Sequence, residues 1–354
     1  MKERVQRLQE KLQQHNLQAL LVSHPANRQY LSGFDGSSGV LLVEREQCFL
    51  FTDFRYREQA ERQAPHCCLA PWKNNLPQSL APVLAETGVT RLGFEEKHLT
   101  YGLYRELSQK LKAELVPVDG LVEEQRVVKD SSEIGILKRG AACLDQAFQH
   151  IIKFIKPGQS EQEIALELEF YLRRMGATET LFRYIVASGE RGAMPHGVAS
   201  EKKVARGELL TIDFGAVFSG YTTDMTRTVC LGEPDPRQVE IYNTVKEAQQ
   251  RAAAALRPGM TGHEADAVAR EIIKEAGYEK EFGHGLGHGV GLETHELPRL
   301  SPQSETVLQP GMVVTVEPGI YIPGWGGVRI EDMMLITETG AEAMTRSTRE
   351  LISI

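Results

Sequence analysis

Residues 206–229 read RGELLTIDFGAVFSGYTTDMTRTV, two runs of apolar residues and threonine on either side of the glycine-bounded segment 215–220. This pattern predicts a β-hairpin. With Phe218 and Ser219 at its tip, Asp213 and Asp224 stand directly opposite one another, close enough for both carboxylates to reach one ion. Two acids facing each other across a ladder repel unless a cation lies between them. A random pair of aspartates more often simply faces water, so the metal reading must be carried by the rest of the chain.

The hairpin is one half of a duplication. Residues 207–215, GELLTIDFG, align with residues 311–319, GMVVTVEPG, which pairs Gly207 with Gly311, Asp213 with Glu317 and Gly215 with Gly319. Asp224 has its counterpart in Glu331, and His196 (in PHG) has its counterpart in His295 (in THE). Upstream, residues 155–164, IKPGQSEQEI, return as residues 256–265, LRPGMTGHEA, and Gly176 returns at the same offset as Gly277. Each half thus supplies an acid from an early strand, an acid from the next strand and an upstream histidine. Pseudo-twofold packing of the halves brings four carboxylates to one centre. Like charges a few ångströms apart raise one another's pKa, and bound divalent cations relieve this. Arg329, two residues before Glu331 and so on the same strand face, offers one positive charge, too little for four acids.

An unduplicated candidate lies in residues 283–291, GHGLGHGVG, where glycine supplies the backbone freedom to bring His284 or His288 to the acids. Imidazole beside oxygen donors suits manganese, cobalt, iron or zinc better than calcium or magnesium. The run does not satisfy GxGxxG, and His295-Glu296 is followed by Arg299 where a zincin needs its second histidine.

The 354 residues leave room for two domains. The net charge of −8 offers no basic surface for a polyanion, so nucleic acid is not expected as a partner. Residues 1–22 carry charges throughout and no segment has the apolar length to span a bilayer, so a cytosolic protein with no membrane partner is expected. Cys48, Cys67, Cys68, Cys143 and Cys230 form no CxxC pair and read as reduced, packed thiols. Val5, Leu8, Leu12 and, weakly, His15 mark an opening helix, followed by strands over 18–23, 39–43 and 48–51 and a helix over 56–63. The alternation continues through 88–95 and 115–118, which argues for a small α/β domain ending near Leu121. Its GSSG run, 36–39, lacks the lysine of a phosphate loop and reads as a turn. Asp130 and Glu133 then form a capping-box pattern before the stripe Leu137, Ala141, Leu144, Phe148, Ile151, Ile155, which Pro157 and Gly158 stop.

The set Asp213, Asp224, His288, Glu317, Glu331 resembles the five-ligand dinuclear centre of the pita-bread metallopeptidases: methionine aminopeptidases, aminopeptidase P and prolidases. Identity, order and strand context match at all five positions, and the likeness covers about residues 121–354. Residues 27–56, NRQYLSGFDGSSGVLLVEREQCFLFTDFRY, resemble the N-terminal domain of the aminopeptidase P and prolidase branch, which methionine aminopeptidases usually lack. The resemblance implies an α/β (α+β) fold. It implies that residues 1–123 form a creatinase/prolidase-like α/β domain and residues 124–354 a pita-bread catalytic domain with internal pseudo-twofold duplication.

It further implies hydrolysis of the Xaa-Pro peptide bond with two divalent ions, manganese first and cobalt, iron or zinc as alternatives, in a homodimer. Asp224 and Glu331 would bridge the ions, Asp213 would complete one site, and His288 with Glu317 the other. Glu317 is the implied proton shuttle, His284 and His295 the oxyanion donors, and His196 with Arg329 the groups that orient substrate and ligands. Arg299, in HELPRLSP, resembles the arginine with which prolidases hold a dipeptide's free carboxylate, although a plain surface arginine is its simplest reading. An Xaa-Pro dipeptidase is therefore expected, with an aminopeptidase P acting on longer peptides as the alternative. More distant are a metal-free amidinohydrolase resembling creatinase and a binding protein on the same fold, both of which replace ligands that are intact here.

Overall fold

The structure, a computed structural model, describes residues 1–180 and 183–354. It divides into two compact units, Met1–Arg126 and Val127–Ile354.

In the first unit α1 (Lys2–Gln14) buries Val5, Leu8 and Leu12, while His15 lies exposed just past its end. There follow β1 (Ala19–Val22), α2 (Pro25–Ser32), β2 (Val40–Glu44), β3 (Cys48–Thr52), α3 (Arg57–Gln63), β4 (Cys68–Pro71), α4 (Leu76–Thr87), β5 (Arg91–Glu95), α5 (Tyr101–Lys110) and β6 (Glu114–Val118), and α6 (Glu123–Val127) begins at its end. The strands make one sheet in the order β4-β3-β2-β1-β5-β6. β1, β5 and β6 run parallel, while β2 is antiparallel to both β1 and β3. Leu21, Leu42, Phe51, Leu80 and Leu92 fill its core, each such burial stabilising by about 1.5–3 kcal/mol. The GSSG run is a loop held by Arg28, whose guanidinium donates to the carbonyls of Gly36 and Gly39.

One expectation is overturned here: Cys48 and Cys67 form a disulfide rather than standing as separate thiols. Phe49 pairs with Cys68 in the parallel β3–β4 ladder, which sets the two preceding residues side by side with Cα atoms 4.8 Å apart, inside the range a disulfide requires. Among the described cysteines Cys68, Cys143 and Cys230 are free.

The second unit starts with α7 (Ser131–Phe154), capped by the expected reciprocal Asp130–Glu133 bonds and buried along Leu137, Ala141, Leu144, Phe148 and Ile151. Then come α8 (Glu161–Arg174), β7 (Glu179–Thr180), β8 (Ile185–Ser188), β9 (Leu209–Phe218), β10 (Tyr221–Cys230), α9 (Pro236–Ala255), α10 (Gly262–Glu275), β11 (Gly287–Gly289), β12 (Glu296–Leu300), β13 (Val313–Val316), β14 (Gly319–Ile322), β15 (Gly326–Arg329), β16 (Asp332–Ile336) and β17 (Ala341–Ala343).

The duplication read in the sequence is a duplication of structure. Each half has a helix ending before a Pro-Gly turn, with Gly158 at φ 92° and Gly259 at φ 86°. Each then opens a second helix through a capping box, Ser160–Glu163 on α8 and Thr261–Glu264 on α10. Gly207 and Gly311, at φ 83° and 88°, each sit two residues before the equivalent strands β9 and β13, in a conformation that glycine reaches without strain.

Candidate metal centre

β9 and β10 form the predicted hairpin, but in a register shifted by two residues. Asp213 pairs with Thr226 and Asp224 with Gly215, so the two aspartates are diagonal rather than opposite. The tip is Ser219 and Gly220, at φ 50° and 81°, the positive pair that a two-residue type I′ turn requires. Phe218 is a strand residue whose ring closes on α7 at Gly140, where a Cβ would come within 2.9 Å of it. A shift of two preserves the face, and both aspartates line the same cavity.

The second copy departs further from the expected hairpin, because Glu317 and Glu331 lie in a break between ladders. β13 pairs with β16 through Val316–Asp332, and β14 pairs with β15 through Gly319–Arg329. The two ladders share one register, which leaves Glu317 and Glu331 across from each other in the gap. Pro318 follows Glu317, and a proline cannot donate to a ladder. Arg329 therefore ends β15 and does not share an uninterrupted strand with Glu331.

β11 carries His288 between β12 and β13. The glycines around it serve a purpose other than the expected one. None of residues 283, 285, 287, 289 and 291 takes a positive φ, so backbone freedom is not used. A Cβ on Gly287 would lie 2.0 Å from the Thr315 carbonyl oxygen, and one on Gly289 would lie 2.2 Å from that of Leu297. Glycine is needed there for the close approach of neighbouring backbones.

All ten residues singled out from the sequence, Asp213, Asp224, His288, Glu317, Glu331, His196, His284, His295, Arg299 and Arg329, line one cavity of about 1230 Å³. Donor atoms of Asp224, His288 and Glu331 lie within 4.8 Å of one another. His288 Nε2 is 3.2 Å from Glu317 Oε1, and Arg329 Nη2 is 2.6 Å from Asp213 Oδ2. His295 packs edge-on against His288 at 4.3 Å, and Arg299 is the cross-strand neighbour of His288. His196 is exposed in a turn whose Pro195 carbonyl accepts from Arg329 Nη1. His284 is committed within the protein: Nδ1 contacts the Gly285 carbonyl at 2.7 Å and Nε2 the Tyr321 hydroxyl at 2.9 Å.

Several neighbours were not foreseen. Tyr321 links His284 to Arg329, whose Nη1 donates to its hydroxyl at 2.9 Å. Thr226 donates to Glu331 at 2.7 Å and Thr315 to Glu317 at 3.1 Å. Behind the acids, fully buried Arg227 pairs with Asp332 at 2.8 Å and donates to the Glu331 carbonyl. The threonines left a trace in the sequence, since polar residues recurring among inward-facing strand positions need acceptors. The signal for Tyr321 is only its place on the strand after Glu317.

The electrostatics are those of an acid cluster built for cations. Burial, then Asp213 and Glu317, holds the Asp224 carboxyl well above the ordinary range. Burial, then Asp224, Glu317 and Asp213, does the same to Glu331. Asp213 is raised by burial against the pull of Arg329. For Glu317 burial also works upward, yet the His288 hydrogen bond and nearby positive charge prevail and bring it down to about 2. Burial, with His288 and Arg299 nearby, lowers His295 to about 4, so its ring is neutral at neutral pH.

The donor set fits metal. Asp213 Oδ1 and Asp224 Oδ1 are buried with no hydrogen-bond partner among the described residues, a costly state that an ion corrects. His288 Nδ1 meets the Gly289 carbonyl at 3.1 Å, the kind of outer hydrogen bond that orients a ligating imidazole, and Nε2 is turned to the acids, 3.2 Å from Glu317.

The profile of metallopeptidase family M24 matches residues 135–338, and that of the creatinase/prolidase N-terminal domain matches residues 4–128. The chain belongs to the M24 metallopeptidase family. It is 41% identical to an Xaa-Pro dipeptidase of Pyrococcus furiosus over 354 residues, 99% of this chain and 100% of that one. The solved Xaa-Pro dipeptidase from Bacillus anthracis superposes with a TM-score of 0.98 at 47% identity, covering 100% of this chain and 99% of that one. An X-Pro aminopeptidase from Thermotoga maritima superposes with a TM-score of 0.91 at 37% identity, over 96% and 98%. As an M24 metallopeptidase of the aminopeptidase P and prolidase branch, the chain is a peptidase of pita-bread fold, and its family implies divalent metal ions.

Proposed function

We propose that this peptidase cleaves Xaa-Pro dipeptides with two divalent ions held by Asp213, Asp224, His288, Glu317 and Glu331. The observation that carries the reading is the cluster itself: three buried carboxylates, the partly buried Glu317 and one buried imidazole around a single cavity, with two carboxylate oxygens left without partners among the described residues. Asp224 and Glu331 would be shared between the two ions, Asp213 would complete one site, and His288 with Glu317 would complete the other. Manganese is the first candidate, with cobalt, iron or zinc suited to the same donors. The chemistry supplied by two such ions when bound is Lewis acidity toward water and the scissile carbonyl.

The chain's own residues do the rest. Glu317, on the cavity wall 3.2 Å from His288, accepts the proton of the attacking water and passes it to the prolyl nitrogen as that bond breaks. His295, neutral and facing the cavity, donates an N–H to the oxyanion. His284 makes both of its ring contacts inside the protein, which favours a role in positioning Tyr321 over direct oxyanion binding. Arg329 orients Asp213, and His196 lies beside it on the substrate side. Arg299, exposed on the cavity wall, is the partner for the free carboxylate of the dipeptide, through the two parallel hydrogen bonds that a guanidinium offers.

The similarity to the Thermotoga maritima aminopeptidase supports a second reading, in which longer Xaa-Pro peptides are substrates. Kinetics on Xaa-Pro and Xaa-Pro-Yaa with the same Xaa decide between them. The dipeptidase reading expects the higher kcat/KM for Xaa-Pro, and a preference for the longer peptide rejects it.

A further inference from the structure

The N-terminal unit holds a second group of side chains with metal-ligand chemistry. Three connections meet at the carboxyl ends of its parallel strands: His24 follows β1, His98 follows β5, and Glu123 follows β6. The crevice outside such strand ends is where open α/β sheets bind ligands. His24 Nδ1 and His98 Nε2 each lie 4.0 Å from Glu123 Oε1, and the three donor atoms all fall within 4.8 Å of one another. A direct N–H···O bond ends near about 3.2 Å. Donors about 2.1 Å from one tetrahedral ion stand about 3.4 Å apart, so each histidine–glutamate pair, now at 4.0 Å, closes by about 0.6 Å to seat an ion.

The neighbours hold these donors in place. Asn27 Nδ2 donates to Glu123 Oε1 at 2.6 Å and to Glu95 Oε1 at 2.7 Å, and Asn27 Oδ1 accepts from Arg126 Nη1 at 2.7 Å. Glu95 Oε2 accepts from the backbone N–H groups of Ser23 and His24 at 2.6 and 2.7 Å, which fixes His24 at the start of α2. Between Glu95, His98 and Glu123 opens a cavity of about 10 Å³, the size of one water.

We propose that His24, His98 and Glu123 bind one divalent transition ion, zinc first by the two-imidazole, one-carboxylate donor set, with water in the remaining position. The two imidazoles are stacked with centroids 3.6 Å apart and planes 13° apart. Binding turns them out of the stack until His24 Nδ1 and His98 Nε2 aim at one point. The site is independent of the acid cluster in the second unit.

The test counts zinc on chelator-stripped, full-length protein for wild type, His98→Ala and Glu123→Gln. His98 and Glu123 are each about one-third exposed, so both variants keep the fold. Each is expected to bind one zinc ion per chain fewer than wild type. In Asp224→Asn, where the other cluster is disabled, zinc is expected to shift the NMR ring resonances of His24 and His98. Equal zinc counts in all three proteins, with those ring resonances unmoved, overturn the proposal.

Discussion

Arg329 and Asp213 form a buried ion pair with Nη2 2.6 Å from Oδ2, while Asp213 Oδ1, also buried, has no hydrogen-bond partner among the described residues. One carboxylate oxygen is fixed by the protein and the other is left for a ligand. The same guanidinium reaches Tyr321 at 2.9 Å and both Thr226 and the Pro195 carbonyl at 3.2 Å. It therefore sets the angle at which Asp213 meets the cavity.

Arg329→Lys keeps the charge and loses the planar fork. Outer-sphere changes of this kind cost about 10- to 100-fold in metal affinity. That loss is expected in a calorimetric titration of stripped protein with Mn²⁺, with the circular dichroism spectrum unchanged. An affinity within twofold of wild type would mean that Arg329 does not orient Asp213.

Metal binding should release protons. Asp224 and Glu331 sit well above the ordinary carboxylate range, first through burial and then through neighbouring acids. In the metal-free fold they keep protons at pH values where the unfolded chain has lost them. Their contribution to stability is complete below about pH 4 and is lost as pH rises through the elevated values. An arriving ion displaces those protons. Calorimetry near pH 6 in buffers of different ionisation heat is expected to show net release, and Mn²⁺ should bind more tightly as pH rises. Zero net release from about pH 5 to 7 would show that these acids are already ionised without metal.

Arg299→Ala tests the dipeptide subsite. A hydrogen bond to a charged group contributes about 1.5–3 kcal/mol, so KM for an Xaa-Pro dipeptide is expected to rise about 10- to 150-fold with kcat little changed. A longer peptide, whose carboxylate lies elsewhere, should be almost unaffected. Equal effects on both substrates would remove Arg299 from carboxylate recognition.

The hairpin, the duplication and the acids were legible because strand periodicity, turn glycines and repeated motifs are local in sequence. The register was not. Whether Phe218 turns or pairs depends on its packing against Gly140, a tertiary contact that the hairpin's own residues do not encode. The glycines around His288 announced that something unusual was needed, but only the nearness of the Thr315 and Leu297 carbonyls shows that it was space. Cys48 and Cys67 are 19 residues apart and joined through the β3–β4 pairing, which no cysteine spacing rule anticipates. Tyr321 and Arg227 escaped notice for a related reason: a buried tyrosine or arginine in a strand reads as an ordinary residue until its partners are known.

The most direct measurement is the initial rate of Xaa-Pro dipeptide hydrolysis by chelator-stripped protein as Mn²⁺ or Co²⁺ is added, for wild type beside Asp224→Asn. The account predicts no hydrolysis without metal and a rise to a plateau in wild type. It predicts less than about a tenth of that plateau in Asp224→Asn, a loss above ~1.4 kcal/mol of transition-state stabilisation, because an amide cannot bridge two dications as an anion. Hydrolysis that persists in fully stripped protein, or that survives Asp224→Asn at saturating metal, would contradict it.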